Sequence, residues 1–245
     1  MKGIILAGGL GSRLYPLTYA TNKHLLPIYD RPMVFYPIQT LVNAGITEIM
    51  IVVGGPHAGH FMGVLKNGVE LGIKHLEFAF QDTVDHNKKK IEGGISHALS
   101  LCENFADNSS VAVILGDNTT DTDMSGAVKN FKDGAMIFLK KVSDPNRYGV
   151  PVFDGNHKIS SIEEKPREPK SDYAVTGLYL YDNTVFSRIK TLKPSSRGEL
   201  EITDLNNSYI KDGKLAWTEL SGFWTDAGTY DSLFVANEYW AKKHL

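Results

Sequence analysis

The sequence predicts an α/β fold: a mostly parallel central sheet flanked by helices, with a mixed or antiparallel second part. Three observations carry that expectation. In the first half, short apolar runs alternate with segments of helical spacing. Those runs are apolar on both faces, which suits a parallel sheet covered by helices on each side. In the second half the strand candidates become more polar and are interspersed with helices.

Taken in order, Lys2–Ala7 is a strand that ends in Gly8-Gly9-Leu10-Gly11-Ser12-Arg13. Met33–Ala44 repeats apolar residues at Val34, Ile38, Leu41 and Val42, a helical spacing, and Gly45 stops it. Ile49–Val53 is a wholly apolar strand closed by Gly54-Gly55-Pro56. Leu76–Phe80, Val111–Leu115, Ala135–Leu139, Lys158–Ile162 and Val175–Tyr181 read as further strands. His60–Lys66, Ile95–Phe105, Glu201–Ile210 and Tyr230–Trp240 read as helices. No internal repeat, low-complexity tract or Pro/Gly/Ser linker divides the chain, so residues 1–245 are read as a single domain.

Composition narrows the function. The chain has 245 residues, of which 42% are hydrophobic and 22% charged, values that exclude disorder, collagen and a simple coiled coil. A chain of this size buries roughly 70% of its surface, enough for a core without disulfides or a structural metal. The net charge of −2 argues against a nucleic-acid partner, and Lys88-Lys89-Lys90 is too short to reverse that. Cys102 is the sole cysteine, so no intrachain disulfide is possible and a cytoplasmic location is expected. The longest apolar runs have five residues, far below the ~20 needed to cross a bilayer, and no signal peptide is expected.

The glycine turn after the first strand is the first candidate site. Glycines there let a ligand approach the backbone and expose N–H groups to an anion. In open α/β sheets ligands sit at the carboxyl ends of strands. By itself the turn is equally compatible with a tight turn that binds nothing. It is not the dinucleotide fingerprint, because Leu14 stands where the third glycine would fall, and the P-loop ending is absent. Arg13 and Lys23 flank it, and two cations beside a glycine turn suit a polyphosphate.

From Leu6-Ala7-Gly8-Gly9-Leu10-Gly11-Ser12-Arg13-Leu14-Tyr15-Pro16 and Lys23-His24-Leu25-Leu26-Pro27 the chain resembles the sugar-phosphate nucleotidylyltransferases. The resemblance continues through Leu115-Gly116-Asp117-Asn118, Arg147-Tyr148-Gly149-Val150, Glu163-Glu164-Lys165-Pro166, Val175-Thr176-Gly177, Arg197-Gly198-Glu199-Leu200-Glu201 and Trp224-Thr225-Asp226-Ala227-Gly228. In order and spacing these blocks are most similar to the short-form thymidylyltransferases that act on glucose 1-phosphate.

The resemblance implies a Rossmann-like nucleotidyltransferase fold. It also implies Mg²⁺-dependent attack of glucose 1-phosphate on the α-phosphate of dTTP, giving dTDP-glucose and pyrophosphate. That product would feed dTDP-rhamnose-type deoxysugar and surface-polysaccharide synthesis. UTP is the alternative nucleotide, and a homo-oligomer (dimer or tetramer) is expected. By resemblance Leu6, Gly8, Gly9, Gly11, Ser12, Gln81, Gly94 and Asp117 contact the nucleotide. Arg13 meets the triphosphate and the departing pyrophosphate, and Lys23 steadies the α-phosphate. Asp117 and Asp226 hold Mg²⁺, a hard ion that suits one or two carboxylates with phosphates and waters. Lys165 and Arg197 hold the sugar phosphate, Glu164 accepts from sugar hydroxyls, and Tyr148, Gly149, Val175 and Tyr179 line the sugar pocket. Trp224 reads as a core aromatic near the metal.

Physical chemistry supports that set, because an anion attacking an anion needs cations that neutralise and position charge. A carboxylate such as Asp117 at the end of a buried strand is costly unless it meets a cation.

Two departures stand out. Ser12 replaces the family Thr and keeps the hydroxyl. Asp82–Gly93 is an extra polar stretch between two base-contact positions, read as a solvated loop or a flap over the base. The family's helical extension after Tyr230–Trp240, linked to a regulatory site, is expected to be missing. Asp121-Thr122-Asp123 also offers a metal-dependent glycosyltransferase as a rival, and a non-catalytic nucleotide-sugar binder is a second.

Overall fold

The protein, a computed structural model, is described over residues 1–82 and 93–244. Positions 83–92, which hold most of the Asp82–Gly93 stretch and its three lysines, lie outside the described residues. The chain runs β1 (Lys2–Ala7), β2 (Pro27–Ile28), β3 (Arg31–Pro32), α1 (Phe35–Asn43), β4 (Glu48–Gly54), α2 (His60–Leu65) and β5 (His75–Gln81). It continues through α3 (Ile95–Ser100), α4 (Glu103–Ala106), β6 (Val111–Leu115), β7 (Asn118–Thr120), α5 (Ser125–Asn130) and β8 (Ala135–Lys141). Then come β9 (Gly149–Phe153), β10 (Ile159–Glu164), β11 (Tyr173–Tyr181), α6 (Val185–Ile189), α7 (Ile202–Lys211), β12 (Leu215–Glu219), β13 (Trp224–Asp226) and α8 (Tyr230–His244).

Among the described residues the main sheet has nine strands, in the order β10-β9-β11-β6-β1-β4-β5, with β8 paired to both β11 and β12. One wing, β6-β1-β4-β5, is wholly parallel. The other turns antiparallel at β11, which pairs β6, β8 and β9, while β12 returns parallel to β8. The expected architecture, a parallel half joined to a mixed half, is therefore the observed one.

Burial follows the two-residue period of a strand. Ile4, Leu6, Val52 and Val113 face one apolar layer, which also holds Leu99, Leu205 and Tyr209 of the helices behind it. Ile5, Ala7, Ile51 and Ile114 face the opposite layer, with Ile38 and Leu41 of α1. A third cluster, including Leu14, Met33, Tyr36, Ala236 and Trp240, docks α8 beside the glycine turn.

Some expectations change. The helix read over Ile95–Phe105 is two helices, α3 and α4. Ser100 Oγ donates to the His97 carbonyl at 2.7 Å, and the Cys102 N–H turns back to Leu99 at 3.0 Å. This local side-chain bond competes with the helical ladder, which tightens and breaks there. The strand expected over Lys158–Ile162 is displaced to Ile159–Glu164, so Glu164 becomes its last residue and faces the site. The last helix runs to His244 rather than Trp240. Strands β2, β3, β7 and β13, of two or three residues, and β9 and β12 lie outside the sequence expectation.

Candidate active site

A cleft of about 470 Å³ opens at the carboxyl ends of β1, β6 and β5. That is the place where open α/β sheets bind ligands, and the size suits a small-molecule site. One end is walled by Leu6, Gly8, Gly9, Gln81 and Gly94, and the other by Tyr148, Gly149, Glu164, Lys165, Val175 and Tyr179. Arg13, Lys23, Asp117 and Asp226 lie on the same cleft. Segments up to 220 positions apart in sequence thus converge on one space.

The glycine turn is built for close approach. A Cβ on Gly8 would strike the Gln81 side-chain oxygen, so glycine here lets Gln81 keep its place against the turn. Gly11 takes φ +69°, a left-handed conformation that starts the tight turn Ser12–Leu14. Buried Leu14 anchors that turn in the third cluster, and Arg13 reaches toward Gly228. Gly11 and Ser12 do not line the cleft: Gly11 packs on the Lys23 stem, and Ser12 points to the outside. Both belong to the turn that carries Arg13.

Gln81 Nε2 donates to the Gly94 carbonyl at 3.3 Å and lies 3.4 Å from His97 Nδ1. The two ends of the Asp82–Gly93 stretch are therefore joined across the cleft wall.

Lys23 is held by its own turn. Asn22 Oδ1 accepts the His24 N–H at 3.0 Å and caps Lys23–Leu25. The buried His24 ring packs below, and burial and then the Lys23 charge press its pKa down to about 3, so it stays neutral. Lys23 Nζ meets Asp117 Oδ2 at 2.5 Å, both side chains being about nine-tenths covered. Burial alone would raise the Asp117 pKa. The Lys23 charge overcomes it, aided by hydrogen bonds from Lys23 and Asn118, and holds the carboxyl well below the usual carboxylate range.

Asp226 behaves in the opposite way. Burial, and then the Asp117 charge, push its pKa up, against the pull of Arg147, Tyr148 and Arg13. The Tyr148 hydroxyl donates to Asp226 Oδ1 at 3.0 Å, and Arg147 Nη2 does so at 3.5 Å. A Cβ placed on Gly228 would lie 3.4 Å from Asp117 Oδ2, 3.5 Å from Asp226 Oδ2 and 3.0 Å from Arg13 Nη2. Two carboxylate oxygens thus face one small hollow kept open by a glycine. Hard oxygen donors that repel each other in a buried hollow fit a divalent cation. Among the described residues no three acidic, His or Cys side chains converge, so phosphate oxygens would complete such an ion's shell.

At the far end, Glu164 Oε2 accepts from Thr203 Oγ1 at 2.6 Å. Its Oε1 lies 3.4 Å from both Lys165 Nζ and Arg197 Nη2. Lys165 has φ +45°, rare for a side chain with a Cβ, and is held there by its N–H on the Tyr148 carbonyl at 2.9 Å. Arg197 is gripped in two-point fashion by Glu201, at 2.9 and 3.2 Å, with Glu199 at 3.9 Å and the cleft residue Glu164 at 3.4 Å. A guanidinium forks readily onto the nearest carboxylate, so Arg197 must swing from Glu201 to reach a phosphate.

Residues not singled out for the site also belong to it. Asn118, fully buried, donates to Asp117 Oδ1 at 2.9 Å and accepts from Trp224 Nε1 at 2.7 Å and from the Gly177 N–H at 3.0 Å. It joins β7, β13 and β11 beside Asp117. Its signal was its place directly after Asp117 at a buried strand end. Thr203, Arg147 and Trp224 also line the cleft. A Cβ on Gly177 would come within 2.7 Å of three Asn118 atoms. Gly177→Ala is therefore expected to destabilise the protein by about 2 kcal/mol through overpacking. The check is the denaturant midpoint, and an unchanged midpoint would count against the rigid Asn118 node.

The D-x-D pattern is not a metal pair. Asp123 accepts from the Ser125 N–H at 2.8 Å and Asp121 turns toward Phe223 and α8, so the glycosyltransferase rival loses its motif. Among the described residues no helix is long and apolar enough to cross a membrane.

Comparison with known proteins gives a consistent picture. The profile of the nucleotidyl transferase family matches residues 2–243. A glucose-1-phosphate thymidylyltransferase of Neisseria gonorrhoeae is 45% identical over 98% of this chain and 82% of its own length. One from Mycobacterium tuberculosis is 42% identical over 98% of this chain and 82% of its own. A crystal structure of a Bacillus anthracis protein assigned as a glucose-1-phosphate thymidylyltransferase, in complex with sucrose, superposes with a TM-score of 0.89 at 52% identity. It covers 98% of this chain and 94% of that one. A UDP-glucose pyrophosphorylase bound to UDP-glucose has a TM-score of 0.81 at 22% identity, covering 99% of this chain and 98% of that one, a likeness of fold alone.

Proposed function

Because the chain belongs to the nucleotidyl transferase family, and is an enzyme of that kind, we propose that it makes dTDP-glucose and pyrophosphate from dTTP and glucose 1-phosphate. The observation that carries this reading is one cleft with a glycine turn at one end, hydroxyl-accepting groups at the other, and Arg13, Lys23, Asp117 and Asp226 between.

An oxygen of the sugar phosphate attacks the α-phosphorus of the triphosphate. The bond from that phosphorus to the bridging oxygen of the β-phosphate breaks, and pyrophosphate leaves with the electron pair. The α-phosphate is set against Lys23, which leans on Asp117. Arg13 faces the charge that grows on pyrophosphate. Glu164 and Thr203 take the sugar hydroxyls, while Lys165 and the swung Arg197 hold the sugar phosphate. Positioning and charge neutralisation supply the rate, since the protein has little covalent work to do. Asp117 and Asp226 would hold Mg²⁺, which supplies positive charge to the phosphate oxygens. The product would serve deoxysugar and surface-polysaccharide synthesis in the cytosol.

The test is a panel of four triphosphates with glucose 1-phosphate, followed by pyrophosphate release with and without Mg²⁺. dTTP is expected to be best and UTP second, because one methyl is worth only roughly 1–3 kcal/mol of discrimination. No pyrophosphate with any triphosphate and a hexose 1-phosphate would overturn the enzyme reading at this cleft.

A further inference from the structure

Asp117 and Asp226 sit at one end of a two-stranded ribbon. Asp117 directly precedes β7, and Asp226 ends β13. The ribbon has three pairs, Asn118 with Asp226, Thr119 with Thr225, and Thr120 with Trp224. At the cleft end the Ala227 N–H closes on the Asp117 carbonyl at 2.7 Å. A ribbon of three pairs is not stable alone. A slip of one residue would move Asp226 by about 3.3 Å and turn its side chain to the other face. Something must hold the far end.

That end is held by Asp121. Its Oδ1 accepts the Phe223 N–H at 2.7 Å, while the Phe223 carbonyl accepts from Thr120 Oγ1 at 2.6 Å. Its Oδ2 accepts from the Tyr239 hydroxyl and from Lys243 Nζ, the latter at 2.7 Å. Tyr239 and Lys243 are one turn apart on α8, and the Tyr239 ring stacks on Phe223 with centroids 3.8 Å apart. One carboxylate therefore pins both strands of the ribbon to the last helix.

We propose that Asp121, with Tyr239 and Lys243, is a positioning clamp that fixes the spacing of Asp117 and Asp226. This rests on the reading of those two aspartates as the divalent-metal pair. Asp121 touches neither substrate nor metal and acts through the ribbon.

The sign of one substitution separates the clamp from a general field effect. Lys243→Met removes a positive charge, and charge alone would tighten cation binding. Loosening the clamp would weaken it. The experiment is a titration of the full chain with Mn²⁺ alone, following free Mn²⁺ by electron paramagnetic resonance, together with glucose 1-phosphate kinetics. The double variant Tyr239→Phe/Lys243→Met is expected to bind Mn²⁺ about tenfold more weakly. Its KM for glucose 1-phosphate is expected to stay within about twofold, because the sugar-phosphate groups lie on other strands. Unchanged or tighter Mn²⁺ binding overturns the clamp. If the double variant does not fold, Tyr239→Phe alone, which removes one hydroxyl, is expected to lose about threefold, and no loss has the same meaning. Asp226→Asn run in parallel isolates the premise: wild-type Mn²⁺ binding there would remove the metal reading itself, whatever the clamp variants do.

Discussion

Asp117→Asn and Asp226→Asn are each expected to cut turnover by at least about a hundredfold at ordinary Mg²⁺, with the fold intact. Asn keeps the shape of each side chain and removes the negative charge that would hold the cation against the reacting phosphates. The two variants should part company in stability. The Asp117 pKa is lowered in the folded protein, so its ionised form stabilises the fold. That contribution is complete above the unfolded carboxylate range and is lost as pH falls through the folded value. Asp117→Asn should therefore lower the melting temperature at pH 7, and it also leaves buried Lys23 without its partner. The Asp226 pKa is raised, so its charge opposes folding at pH above the folded value and costs nothing below the unfolded one. Asp226→Asn should leave melting unchanged or raise it at pH 7. A site that stores like charges to hold a cation gives this pattern of stability traded for function. Near-normal rates in either variant would reject the metal assignment, and equal melting losses would reject the electrostatic account.

Much of this was legible in the sequence, for physical reasons that differ by residue. The parallel strands were readable because Ile49–Val53 and Val111–Leu115 are buried on both faces and so are unbroken apolar runs. Strands β12 and β13 escaped notice because they are short and partly exposed, and Leu215–Glu219 is a strand only through its pairing with β8. Arg13, Lys23 and Asp117 were legible as charges near a strand end or the glycine turn, whereas Asp226 was reached through the family resemblance alone. The part of Asn118 was not legible, since two of its three bonds reach β13 and β11, far along the chain. Arg197 shows a limit of another kind. Its residue type fits a phosphate and its i,i+4 spacing to Glu201 is visible in the sequence, but only the structure shows that pair formed. Asp121-Thr122-Asp123 has the spelling of a metal motif, yet the partners that decide its role, Tyr239 and Lys243, lie 118 and 122 positions away.

Arg13→Ala is expected to lower kcat by about a hundredfold or more while leaving the KM for glucose 1-phosphate close to the wild-type value. Arg13 Nη2 shares the hollow at Gly228 with Asp117 and Asp226, and so lies where the triphosphate and departing pyrophosphate would gather charge. An interaction that strengthens as the leaving group forms belongs to the transition state, and its loss appears in kcat. Lys165→Ala should act differently. Lys165 stands at the opposite end of the cleft, beside Glu164, and on the proposed reading would hold the sugar phosphate equally before and during reaction. Its loss should raise the KM for glucose 1-phosphate about tenfold with a smaller change in kcat. Arg197→Ala should raise the same KM less, because wild-type Arg197 must first leave Glu201, and that exchange offsets part of what the phosphate contact provides. Glu201→Gln, which weakens the grip, should then lower the KM for glucose 1-phosphate. Steady-state kinetics in both substrates would separate these outcomes. If Arg13→Ala altered only the KM for the sugar phosphate, the two anion sites would be reversed. If Glu201→Gln raised that KM, Glu201 would be aiming Arg197 at the phosphate rather than holding it back.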